Sequence, residues 1–177
     1  MPQPVVLVLA SGRGERFRAS GGTTHKLQAL LAGKPVLQHT LDAVRASGLP
    51  WHLEDAGHPG MGDSIAAAVR ATAGAPGWLV LPGDLPLIQP GTLRAVAAAL
   101  ATHDAVVPVH EGTRGHPVGF AQPCLAQLLA LHGDRGAVQV LRAHRAIELI
   151  VDDLGAVTDV DTVQGLALAA QRLASAG

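Results

Sequence analysis

Aromatic residues are nearly absent from this 177-residue chain, which has two Trp, two Phe and no Tyr. A core without large rings has to be built from Ala, Leu and Val, which suits helices laid closely against a sheet. Cysteine occurs once, at Cys124, so an internal disulfide is excluded and a reducing, cytoplasmic setting fits. Cys124 follows Pro123 at a predicted helix start, where a buried structural thiol is expected rather than a nucleophile. Neither sign of charge is in excess: 13 basic and 14 acidic residues leave a formal net charge of −1. A general nucleic-acid binder, which needs a basic face to neutralise phosphates, is thereby excluded. Long hydrophobic runs are missing too. The apolar stretch after Met1 has no basic segment before it and falls far short of the roughly 20 residues that span a bilayer, so no membrane association is expected.

Several familiar signatures are also missing. Gly33-Lys34 is followed by Pro35, where a Walker A loop needs Ser or Thr. Phe17 stands where a dinucleotide-binding loop would place its third Gly or Ala. No Ser occupies a Gly-x-Ser-x-Gly elbow, which argues against an α/β hydrolase. The histidines show no zinc-ligand spacing of the His-Glu-x-x-His kind, and no zinc is assigned.

What is present is an alternation of strand and helix patterns. The length fits one domain over 1–177, and 48% apolar residues leave no case for disorder. Val5–Ala10 is a continuous apolar run, rich in β-branched Val, of the kind buried on both faces of a parallel sheet. Further strands are expected at Trp51–Glu54, Trp78–Leu81, Ala105–Val109, Val118–Ala121 and Ile147–Val151. Helices are expected at Pro35–Ala46, from Asp63 and Ser64 as N-caps to about Thr72, and at Gly91–Thr102, Pro123–Leu131, Ala137–Ala143 and Thr162–Ala174. The alternation predicts a three-layer α/β/α, Rossmann-like fold with a mostly parallel sheet. Ligands of such sheets bind beyond the C-terminal strand ends, here just after Ala10 and just after Leu81.

Three segments there carry candidate chemistry. The first is Leu9-Ala10-Ser11-Gly12-Arg13-Gly14-Glu15-Arg16-Phe17, with Lys26 closing the loop. Glycines after a buried strand let backbone N–H groups approach phosphate oxygens, and Arg13, Arg16, Arg18 and Lys26 add positive charge. An ordinary strand-to-helix loop with solvated arginines is the alternative. The second is Leu81-Pro82-Gly83-Asp84-Leu85-Pro86, where a strand-end acid can join a hard cation to a phosphate or merely cap a turn. The third is Thr158-Asp159-Val160-Asp161-Thr162, whose two acids face one side of an extended segment. Gly115-His116-Pro117 places an imidazole at a pocket mouth or in an exposed turn.

Taken together and in order, these segments resemble the MobA-like nucleotidyltransferases, most closely their molybdenum-cofactor cytidylyltransferase branch. The resemblance runs from Val5 to about Leu173. It rests on Leu9-Ala10-Ser11-Gly12 with Arg16 and Lys26, Gly60-Met61-Gly62-Asp63-Ser64, Gly83-Asp84-Leu85-Pro86, Arg114-Gly115-His116-Pro117-Val118, Gly133-Asp134-Arg135-Gly136 and Asp159-Val160-Asp161-Thr162. Ser11 replaces a usual Ala or Gly, Gly21-Gly22-Thr23-Thr24 lengthens the loop as a candidate lid, and one strand–helix unit is expected to be missing between Ser47 and Gly60.

The resemblance implies transfer of a nucleoside monophosphate, CMP from CTP, to a phosphorylated acceptor, with pyrophosphate released and Mg²⁺ as cofactor. By the same resemblance Arg16 and Lys26 meet the triphosphate, and Asp84 and Asp161, with Asp159, hold the metal. Leu9, Ala10, Ser11, Gly12, Gly14 and Ser64 meet the nucleoside, and His116 lines the acceptor side. Molybdopterin is the implied acceptor, and a molybdoenzyme or its chaperone a further partner. Two other readings remain: transfer to a sugar phosphate or another small phosphorylated acceptor, and a non-catalytic nucleotide- or cofactor-binding chaperone.

Overall fold

The structure is a computed structural model that describes residues 2–10 and 25–176. Strand β1 (Val5–Leu9) is buried on both faces, with Val6 and Val8 turned to one side and Leu7 and Leu9 to the other. A 3₁₀ turn (Lys26–Gln28) leads to a hairpin of β2 (Leu30–Leu31) and β3 (Lys34–Pro35), whose two-residue link Ala32-Gly33 has positive φ at both positions. Positive φ at both loop positions matches the twist of a tight hairpin. Helix α1 (Val36–Ser47) then ends on Gly48, which takes up the left-handed conformation expected after a helix C-terminus.

The remaining elements are β4 (Trp51–Glu54), α2 (Met61–Ala71), β5 (Gly77–Pro82), α3 (Pro90–Ala99), β6 (Ala105–His110), β7 (Thr113–Arg114), β8 (Val118–Ala121), α4 (Leu125–Leu129), α5 (Val138–Ala143), β9 (Ile147–Ile150) and α6 (Val163–Ala176). They form a seven-stranded sheet in the order β4-β1-β5-β8-β6-β7, with β9 also paired to β6. Strands β4, β1, β5, β6 and β9 run one way, and β8 and β7 run against them. The sheet is thus mixed but mostly parallel, and helices cover both faces. One face packs Ile65 and Val69 of α2, Leu128 of α4 and Leu141 of α5 against Leu7, Trp78, Val80 and Phe120. The other packs Leu41 and Val44 of α1 with Leu93 and Val96 of α3 against Val6, Val8, Leu79 and Leu81. Helix α6 closes over the hairpin, where Ala169 and Val160 meet Leu31 and Val36.

The strand and helix pattern read from the sequence is largely what forms, with instructive differences. Helix α2 starts at Met61 with Gly60 at its N-cap, so Asp63 and Ser64 lie inside the first turn rather than capping it. A Cβ on Gly60 would stand 2.2 Å from the Gly133 carbonyl oxygen, and one on Gly62 2.6 Å from that of Arg135. Both glycines are therefore set by close backbone approach: Gly62 N donates to Gly133 O at 2.8 Å, and Asp63 accepts from Gly133 N at 3.1 Å. The expected helix over Pro123–Leu131 is a 3₁₀ turn followed by the short α4. Between Ser47 and Gly60 the chain forms the expected strand β4, paired with β1, and passes through residues 55–60 into α2. Among the described residues no helix is long and apolar enough to cross a membrane.

Candidate active site

Strands β1 and β5 lie side by side in parallel register, Leu9 opposite Pro82, so the residues after each leave the sheet together. Gly83 N donates to Leu9 O at 2.9 Å, which ties the two exits to each other. From the opposite layer, Thr40 Oγ1 of α1 donates to Gly83 O at 2.8 Å. The next residue is Asp84, whose own carbonyl accepts from Val160 N at 2.9 Å. That last bond draws the remote segment 159–161 to the end of β5. The peptide bearing Asp84 is thus held from three directions before its carboxylate makes any contact.

Lys26 approaches from the other side. Its 3₁₀ turn is capped by His25, whose Nδ1 accepts from Leu27 N at 3.3 Å, and is anchored by the buried Leu27. The Lys26 ammonium donates to Asp84 Oδ2 at 2.8 Å and to Asp161 Oδ1 at 3.1 Å. Burial works against the charge on Lys26, but the attraction and hydrogen bonds of Asp84 and Asp161 outweigh it and raise its pKa above the ordinary lysine value. Arg172 Nη1 donates to Thr158 Oγ1 at 2.9 Å, and Thr162 Oγ1 accepts from Gly165 N at 3.0 Å, fixing the ends of the acidic segment.

Among the described residues, one ammonium faces three carboxylates here. Asp84, Asp159 and Asp161 each offer a carboxylate oxygen, all within 4.8 Å of one another. Three hard oxygen donors converging from two segments fit a small divalent cation that keeps several waters and a substrate phosphate. The donor set matches Mg²⁺ or Mn²⁺ and does not match zinc, which favours nitrogen and sulfur.

The family model for the MobA-like NTP transferase domain matches residues 42–147, more than half of the chain. This protein belongs to that family.

Two curated relatives and one solved structure illustrate the likeness. The bifunctional protein GlmU of Desulfitobacterium hafniense is 29% identical over 143 residues, covering 69% of this chain and 31% of that protein. The 2-C-methyl-D-erythritol 4-phosphate cytidylyltransferase of Frankia casuarinae is 31% identical over 165 residues, covering 90% of this chain and 52% of that protein. This MobA-like chain therefore spans between about a third and a half of the length of these relatives. The crystal structure of Rv0371c from Mycobacterium tuberculosis shares the fold, with a TM-score of 0.78 at 24% identity over 96% of this chain and 98% of that one. The same mycobacterial protein has been crystallised with manganese.

The other residues singled out in this MobA-like chain are placed as follows. Leu9 is buried and bonded to Gly83, and Ala10 N donates to Glu54 O at 2.9 Å across the β1–β4 pair. Ser64 is buried in the first turn of α2, with its hydroxyl donating to Gly60 O at 3.2 Å. Ser11, Gly12, Arg13, Gly14, Arg16, Arg18 and the candidate lid over Gly21–Thr24 lie outside the described residues.

His116 sits where Gly115 N donates to Pro108 O at 2.8 Å and its own N–H donates to Ala156 O at 2.9 Å. A Cβ on Gly115 would come within 2.3 Å of Ala156 O, so only glycine lets the chain pass there. Burial lowers the His116 pKa below the usual imidazole value, although the negative fields of Asp84 and Asp159 act the other way, so the ring is neutral at pH 7. Cys124 is fully buried, as expected, with Sγ donating to Asp104 O at 3.3 Å; burial pushes its pKa up to about 11.

Two contributors escaped the sequence reading. Thr40 is a hydroxyl in an otherwise apolar helical stripe of Val36, Leu37, Leu41 and Val44, and that oddity was the available signal. Glu54 ends β4 beside Ala10 and accepts from His52 at 3.1 Å and His58 at 2.9 Å. Burial opposes its charge, but these imidazole bonds outweigh burial and lower its pKa. No local pattern announces this group.

Proposed function

We propose that the chain, read as one domain over 1–177, transfers CMP from CTP to a phosphorylated acceptor with Mg²⁺ bound. The observation that carries this reading is the meeting of Lys26 with Asp84 and Asp161, beside Asp159. Asp84, Asp161 and Asp159 hold the metal, which when bound neutralises charge on the phosphates. An oxygen of the acceptor phosphate attacks the α-phosphorus. One P–O bond forms, the bond to the β-phosphate oxygen breaks, and pyrophosphate leaves with its charge met by Lys26 and Arg16. No protein nucleophile is needed; positioning and charge neutralisation supply the catalysis. The backbone of Leu9 to Gly12, with Gly14 and Ser64, meets the nucleoside, and His116 lines the acceptor side.

Molybdopterin is the acceptor favoured by the intact Arg114-Gly115-His116-Pro117-Val118 segment, with a molybdoenzyme as onward recipient. Transfer to a sugar or polyol phosphate is a second reading, favoured by the name of the Frankia relative. A passive chaperone would not need three converging carboxylates. The test is pyrophosphate release with CTP, GTP or UTP, Mg²⁺ and each acceptor in turn. Release with CTP and molybdopterin is the expected result. Release only with a sugar phosphate would replace the acceptor, and no release with any pair would leave the chaperone reading.

A further inference from the structure

Asp153 is only 2% exposed, and it takes no part in the steps of nucleotidyl transfer set out above. Both oxygens of its carboxylate are engaged. Oδ2 accepts from Gln89 N at 3.0 Å and from Thr92 Oγ1 at 2.6 Å, while Oδ1 accepts from Gly155 N at 2.9 Å. Gln89 is the N-cap residue of α3, and its own side chain makes no capping bond. The start of α3 is therefore capped by a carboxylate 64 positions away. A Ser, Thr or Asp at position 89 would cap the helix locally, without the cost of burying a remote carboxylate. What the remote cap does, and a local one would not, is join two segments.

Those two segments are the ones that carry the clustered acids. Asp84 precedes Gln89 between β5 and α3, and Asp159 and Asp161 follow Asp153 between β9 and α6. Asp153 also starts a 3₁₀ turn, Leu154–Val157, which lies so close to the first segment that a Cβ on Gly155 would stand 2.0 Å from Leu87 O. Thr158 Oγ1 closes the turn by donating to Leu154 O at 2.7 Å, and Ala156 O accepts from His116 N at 2.9 Å. Beyond the turn, Val160 N donates to Asp84 O at 2.9 Å. The segments are thus tied twice, once through Asp153 and once through Val160. A single tie would leave them free to pivot; two ties fix the angle between them and with it the spacing of the acids.

We propose that Asp153 is a positioning residue for nucleotidyl transfer: it clamps the 154–157 turn to α3, sets the distance of Asp159 and Asp161 from Asp84, and holds Ala156 O against His116 N. The inference rests on the nucleotidyl-transfer reading. A carboxylate is required because both of its oxygens accept. An amide has one acceptor oxygen, so Asp153→Asn turns its NH₂ toward the N–H of either Gly155 or Gln89 and opens one side of the clamp at constant size. Thr92→Val is the matched control. It removes one bond to Asp153 but leaves Gln89 N and Gly155 N on the carboxylate, so the clamp stays closed.

The experiment titrates Mn²⁺ alone into wild-type protein, Asp153→Asn and Thr92→Val, followed by EPR at a temperature where circular dichroism shows all three folded. Asp153→Asn is expected to bind Mn²⁺ about ten-fold more weakly, the scale at which groups that orient metal ligands act, and Thr92→Val to stay within about two-fold of wild type. If Asp153→Asn does not fold, Asp153→Ser replaces it with the same expectation, because its short side chain reaches Gly155 N but not α3. Wild-type Mn²⁺ affinity in the Asp153 variant, or an equal loss in Thr92→Val, would overturn the inference, as would failure of both Asp153 variants to fold. Pyrophosphate release is measured alongside. Normal release by wild type with Mn²⁺ binding indifferent to Asp153 would remove the clamp and leave nucleotidyl transfer intact. Weakened Mn²⁺ binding in the Asp153 variant, in a protein whose wild type releases no pyrophosphate, would keep the clamp on the metal site and remove the transfer reading.

Discussion

Lys26 and Asp84 are 58 positions apart, yet the ammonium of one lies 2.8 Å from the carboxylate of the other. The contact joins the turn after β1 to the exit of β5, and Asp161 joins it from a third segment at 3.1 Å. A salt bridge with this degree of burial is weak evidence of stability, because desolvation offsets much of the attraction. Its value here is positional: it brings a cation and three acids to the rim where parallel strands end.

Replacing Asp84 separates those roles. Asp84→Asn keeps the size of the side chain but removes the charge, and turnover is expected to fall about 10²–10³-fold. Circular dichroism and melting should change little, because one of three mutually repelling carboxylates has been neutralised. Turnover similar to wild type would take Asp84 out of the mechanism.

Lys26 shares its carboxylates with any bound metal. Lys26→Ala is therefore expected to tighten Mn²⁺ binding in the absence of nucleotide by about ten-fold, since a positive charge near 3 Å is removed. The same variant should bind CTP more weakly, because the triphosphate loses its ammonium partner. Manganese EPR and calorimetry read the two effects separately, and parallel weakening of both would contradict the shared-site account.

Thr40 supports the site from the far layer. Thr40→Val leaves the Gly83 carbonyl without its partner, which costs about 1–3 kcal/mol for a buried group. Loss of turnover should accompany the loss of stability, and Thr40→Ser should restore both. A Thr40→Val variant that is destabilised yet fully active would show that this bond serves the fold alone.

The start of α2 is set by contact rather than by capping. Gly60→Ala forces a Cβ to 2.2 Å from Gly133 O, so the 132–135 loop must move, at about 1–3 kcal/mol. Chemical denaturation measures the cost, and no change in midpoint would mean that the loop is not docked in solution.

Cys124 supplies a pH-dependent check on the core. With its pKa raised to about 11, the folded thiol is almost wholly protonated at pH 8, and maleimide labelling should be slower by about 100-fold than in the unfolded chain. Above about pH 9 the unfolded thiol ionises while the folded one does not. Stability is therefore expected to decline as pH rises from about 9 to about 11, the direction required when the folded state holds more protons. Fast labelling of the native protein at pH 8 would place Cys124 nearer the surface.

Much of the layered fold was legible because its signals are local. The run at Val5–Leu9, the stop at Ser47-Gly48 and the stripe of α1 each declare themselves within a few residues. The acids were legible by type and by their place after strands, but their convergence was not. It depends on Val160 N reaching Asp84 O, a backbone bond that no side-chain pattern encodes. Gly60 and Gly62 were open to misreading for the same reason, since the Gly133 and Arg135 carbonyls that exclude a Cβ come from some 70 residues away. The two-residue strands of the β2–β3 hairpin were too short to show a period.

One metal and one nucleotide are expected to share the cluster of Lys26, Asp84, Asp159 and Asp161. This sharing is tested most directly by titrating Mn²⁺ with and without CTP, in the wild-type protein and in Asp161→Asn, followed by EPR. CTP is expected to tighten Mn²⁺ binding in the wild-type protein, and that coupling is expected to be lost in the variant. Mn²⁺ binding indifferent to CTP, or coupling unchanged by Asp161→Asn, would contradict it.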